Sequence, residues 1–86
     1  MNHLKQLEVG DAARRLLDNE VFLKAVEEVR QDFAQEIAAT DTKDSEIREH
    51  LYLEIRGMER VLGKLRLKIS NGNMSQAKIT KEKKNG

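Results

Sequence analysis

Residues 47–69 read IREHLYLEIRGMERVLGKLRLKI, and the spacing of their apolar side chains decides the fold. Ile47, Leu51, Ile55, Met58, Leu62, Leu65 and Ile69 stand 4, 4, 3, 4, 3 and 4 residues apart, the period of one face of an α-helix. Ile47 to Met58 spans 11 residues and Met58 to Leu65 spans seven, so the seam is hendecad first and heptad after. The spacing predicts a helix over about 43–70, roughly 40 Å long at 1.5 Å rise per residue. Asn71-Gly72 is its predicted stop, because glycine enters the left-handed conformation without steric cost.

Before this stretch lies Thr40-Asp41-Thr42-Lys43-Asp44, a polar run with no apolar residue, read as a tight connection in which Asp41 or Thr42 caps the following helix. Further back, Phe22, Val26, Val29, Phe33 and Ile37 recur at spacings of 4, 3, 4 and 4, predicting an amphipathic helix over 19–39. Asp18 or Asn19 supplies its N-cap oxygen. Its other side carries the row Glu20, Lys24, Glu28, Asp32 and Glu36, mostly acidic. Leu4, Leu7, Ala13, Leu16 and Leu17 would share a face, but Gly10-Asp11 interrupts them. A glycine costs ~1 kcal/mol in a helix interior and Asp11 is a good N-cap, so a short helix over 11–17 is expected, with residues 1–9 loosely helical or docked. After Asn73 the pattern dissolves, and Lys78, Lys81, Lys83 and Lys84 make residues 73–86 a basic tail, expected to be flexible. The expected fold is therefore all-α. One helical domain over 1–72 holds an antiparallel hairpin with a short preceding helix.

Composition narrows the function. The 86 residues include no cysteine, proline or tryptophan, with 36% charged and 3% aromatic. Without cysteine there is no disulfide framework and no Cys-based zinc or redox site. No apolar run approaches the roughly 20 residues of a membrane span, and the N-terminus lacks the apolar core of a secretory signal; the cytoplasm, or the virion if the chain is viral, is the expected location. The formal charge of +1 hides an asymmetry: residues 1–50 carry seven basic and twelve acidic side chains, residues 51–86 nine basic and three acidic. Such halves can satisfy each other or a second copy of the chain. With a turn near residue 41, position i falls opposite roughly 82 minus i, which sets Arg56, Arg60 and Lys64 against the region from Asp18 to Glu28.

Two helices leave part of their apolar stripes wet, and Leu53, Val61 and Leu67 lie off the main seam. A homo-oligomer in which hairpins pack into a bundle supplies the missing cover; a three-helix monomer is the alternative. Beside the seam runs Arg48, Tyr52, Arg56, Arg60, Lys64 and Lys68, each four residues after the last. Read as a site, the row is an anion-binding surface in which arginine forks grip phosphate and the tyrosine stacks on a base. Read as structure, its stems cover the core edge while its heads meet acidic residues of a neighbour. Gly57 and Gly63 mark either a close approach or a tolerated exposed face. Catalytic signals are missing: no phosphate-binding loop, no dinucleotide fingerprint and no H-E-x-x-H. His50 and Glu54 at i, i+4 are two ligands where catalytic zinc needs three. No enzyme activity, metal or cofactor is expected, and nucleic acid is expected at most as a weak contact of the tail.

The run Ala13-Arg14-Arg15-Leu16-Leu17-Asp18-Asn19-Glu20-Val21-Phe22, followed by Ala25, Val29, Thr40 to Asp44, Arg48-Glu49 and Leu51-Tyr52, resembles a group of small helical proteins of tailed bacteriophages. The resemblance spans about residues 7–70 and carries no functional residue with it. It implies a phage origin and a non-enzymatic protein. The expected role is interaction or assembly, through helix-mediated oligomerisation and binding of a phage or host protein. The alternative is a counter-defence protein that sequesters a nucleotide signal between protomers on the Arg/Tyr row. A packaging role touching DNA through the tail is a third reading.

Overall fold

The computed structural model describes residues 2–85 and contains three helices, with no strand among them: α1 His3–Leu17, α2 Glu20–Ala38 and α3 Ser45–Asn85. Met1, Gly86 and the Lys84 and Asn85 side chains, which belong to the expected domain and tail, lie outside the described parts.

Each helix starts on an identifiable group. Asn2 Oδ1 accepts from the Leu4 N–H (2.8 Å) at the head of α1, and Asn19 Oδ1 accepts from the Phe22 N–H (2.9 Å) at the head of α2. At the head of α3 the cap is Asp44 rather than Asp41 or Thr42. Its carbonyl accepts from the Arg48 N–H at 3.0 Å, and its carboxylate accepts from the Asp41 N–H at 2.8 Å, closing the linker on itself.

Two boundaries differ from the sequence reading, for one reason. Helix α1 begins at His3 instead of residue 11, with Gly10-Asp11 inside it, and α3 runs through Asn71-Gly72 to Asn85 instead of stopping near 70. No described residue has a positive φ, so Gly72 is a helical glycine and not a stop. The two glycines meet each other. A Cβ built on Gly10 would stand 2.8 Å from the Lys68 carbonyl oxygen and 3.0 Å from Gly72 Cα, and one on Gly72 would stand 3.1 Å from Gly10 Cα. Both glycines are buried. The backbones of α1 and α3 touch at a point that only hydrogen side chains permit, and the packing so gained outweighs the helix-propensity cost of each glycine.

Because Gln6 lies against Gly72 and Ser75 while Gly10 lies against Lys68 and Gly72, α1 runs antiparallel to α3. This is the most extensive helix–helix contact in the molecule, a place the sequence reading had given to the 19–39 helix. Ser75, 1% exposed, donates its hydroxyl to Gln6 Oε1 at 2.6 Å and lies 3.4 Å from His3 Nδ1. Arg14 donates to Asn73 Oδ1 at 2.6 Å. The segment expected as the start of a loose tail is thus the floor on which α1 docks.

Helix α2 is held more lightly. None of its residues is buried, and its cross-link to α3 is the ion pair from Arg30 to Glu59 at 2.9 Å. The molecule is long and thin, 66 × 24 × 15 Å. Its buried apolar side chains among the described residues are Ala13 and Leu62.

Candidate interaction surface

The seam residues named from the spacing are unevenly covered. Leu62 is buried; Phe22, Val26, Phe33, Ile37, Leu51, Ile55, Met58, Leu65 and Ile69 are half-buried; Val29 and Ile47 are exposed. Off the seam, Val21 is 79% exposed, Val61 61%, and Leu53, Leu67, Leu23 and Met74 are exposed as well. Leu4 and Leu16 of α1 are exposed too, so apolar surface is left in water along the whole molecule, with the larger share on α2 and on the stretch of α3 level with it.

The Arg/Tyr row separates into parts with different work. Arg48 is half-buried and turns back on the linker, donating to the Asp41 carbonyl and, at 3.4 Å each, to Thr40 Oγ1 and the Thr42 carbonyl. It closes the α2–α3 connection, so in this structure its guanidinium is engaged with linker oxygens. Arg56 places its guanidinium 5.9 Å from the Tyr52 ring centroid, a cation–π contact. Arg56 and Arg60, with Leu53, Gly57 and Glu59, line an open depression of ≈ 500 Å³ on α3. Nothing lies within 4 Å of a Cβ built on Gly57 or on Gly63. Lys64 is exposed further along the same row.

The pairing expected between these cations and the acids of α2 does not form within the chain. Among the described residues the ion pairs are Arg14 with Asp11 at 4.0 Å and Arg30 with Glu59 at 2.9 Å. The pair that joins α2 to α3 runs against the charge asymmetry, with the base on the acidic helix and the acid on the basic one. It also sets the register: residue 30 lies against 59, seven positions from the partner that a turn at residue 41 would give. The turn is centred later, in the Asp41–Asp44 closure.

The sequence reading missed Ser75 and Gln6, which form the polar lock under α1. The signal was present in the spacing, because Ile69, Gly72, Ser75 and Ile79 continue the seam at steps of 3, 3 and 4 with small residues in place of large ones. No described helix is long and apolar enough to cross a membrane. Neither a protein family, nor a curated protein, nor a solved structure matches this chain.

Proposed function

We propose that this is a non-enzymatic phage interaction and assembly protein, acting in the host cytoplasm or on the virion through helix-mediated oligomerisation and binding of a phage or host protein. In this reading α2 and α3 form an antiparallel hairpin whose packing is completed by a partner. The observation that carries it is the state of α2: 19 residues of amphipathic helix, none buried, with Val21, Leu23 and Val29 in solvent. An amphipathic helix this poorly covered gains stability from a further apolar surface. The test is affinity capture of the tagged chain from a host lysate. A stoichiometric partner, lost when Val61→Asp and Leu67→Asp are introduced, is the expected result. A chain that elutes alone and monomeric overturns the proposal.

The counter-defence reading draws on a separate observation, the Tyr52–Arg56 stack beside the Arg56–Arg60 depression. An aromatic ring and two guanidinium groups are a combination that suits a nucleotide. It predicts a rise in melting temperature with a cyclic or ADP-ribose-type nucleotide, abolished by Arg56→Ala or Arg60→Ala. No shift with any such nucleotide removes it.

A further inference from the structure

The charge halves of this chain are left unspent by its own fold. Glu28, Asp32 and Glu36 step along α2 every four residues, and Arg56, Arg60 and Lys64 step along α3 at the same interval. All six are exposed. Among the described residues none of them takes part in an ion pair. Two rows with a common rise of about 6 Å per step engage one for one when the helices lie side by side. Apolar side chains border both rows, Val21 and Val29 on α2, Leu53 and Val61 on α3, and all four are exposed. Gly57, beside Arg56 at one end of the basic row, leaves open space where another helix can come close.

We infer that these rows form the contact between two copies of this chain, the acidic row of α2 in one protomer lying on the basic row of α3 in its partner. The inference rests on the binding reading above and names its partner. A second copy is favoured because one chain carries both rows at matched spacing. Two copies therefore make the contact twice, each giving an acidic row and receiving one. The apolar borders supply the area and the charges set the register and exclude wrong pairings.

A charge-swap experiment tests this with the full chain. Arg60→Glu/Lys64→Glu makes both rows acidic, and Glu28→Lys/Asp32→Lys makes both basic. Each variant alone is expected to self-associate about tenfold or more weakly than the wild type in sedimentation equilibrium, with helicity unchanged by circular dichroism. An equimolar mixture of the two restores both contacts and returns association toward the wild-type constant, because each acidic row then meets a basic one. A role within the protomer gives no such rescue. A wild-type chain that stays monomeric at about 500 µM, a charge-altered variant that associates like the wild type, or a mixture that fails to recover overturns the inference. A monomer that still captures a different protein through the same residues overturns this contact and leaves the wider binding reading standing.

Discussion

Glycine has two meanings in this chain, and only the surroundings of each residue separate them. Gly10 and Gly72 are points of backbone contact, whereas Gly57 and Gly63 face open space. Alanine gains ~1 kcal/mol over glycine in a helix interior. Within a single protomer that gain is unopposed at Gly57 and Gly63. Gly63→Ala is expected to raise stability by up to ~1 kcal/mol in thermal melts read by circular dichroism. Gly57→Ala is expected to do so only at concentrations too low for the proposed pairing, where the close approach of the partner helix is absent. At Gly10 the new methyl meets a carbonyl oxygen at 2.8 Å and a Cα at 3.0 Å, both backbone. Overpacking of that kind costs about 1–3 kcal/mol, so Gly10→Ala is expected to lose stability despite the better propensity. Gly72→Ala has slightly more room and is expected to lose less. Equal responses at all four positions would show that α1 does not pack against α3 at this point. Ser75→Ala removes the hydroxyl that holds Gln6 Oε1 and is expected to cost about 1 kcal/mol, the usual net worth of one such hydrogen bond.

At the scale of the element, the sequence carried most of the information about helix existence and little about helix ends. The seams over 22–37 and 47–69 are long, regular and free of glycine on their apolar face, so periodicity alone locates the helices that carry them. The ends of α1 and α3 were misread because Gly10-Asp11 and Asn71-Gly72 are strong local punctuation, and that punctuation is overridden by a contact between residues about 60 positions apart. No window of sequence contains both partners of that contact. The consequence is testable by truncation. An isolated helix of 15 residues is marginal in water, so α1 depends on its seat against Gly72 and Ser75. Removing residues 71–86 is expected to abolish about twice the helical signal of the residues deleted, because α1 melts with them. A flexible tail would leave the helicity of the rest untouched. Asn19→Ala acts more locally, removing the cap at the head of α2 at a cost of about 1 kcal/mol.

For the whole molecule, the distribution of packing is uneven along the 66 Å axis. The end where α1 lies on α3 has contacting backbones, a buried serine and a buried alanine. The end where α2 accompanies α3 has one ion pair and a half-covered seam. Sequence patterning showed that apolar surface would be left over, but it had assigned the tight contact to the hairpin and the loose segment to the C-terminus. The candidate surface was likewise legible as a row of cations and not as a set of roles: that Arg48 serves the linker and Arg56 stacks on Tyr52 depends on where the turn falls, which charge counting does not reveal. Under the proposed pairing, an α2–α3 end so thinly packed would tie stability to assembly. If two copies share the work, unfolding at the melting temperature is coupled to dissociation, and a hundredfold rise in protein concentration contributes about 2.7 kcal/mol per dimer. At roughly 2–4 °C per kcal/mol for a unit of 150–250 residues, the melting temperature is expected to climb by about 5–10 °C between ~5 and ~500 µM. The charge rows are exposed, and the screening length falls from about 10 Å at 0.1 M salt to about 3 Å at 1 M, so added sodium chloride should lower the melting temperature at the high concentration and change it little at the low one. A melting temperature independent of concentration would mean that the half-covered α2–α3 end stands by itself.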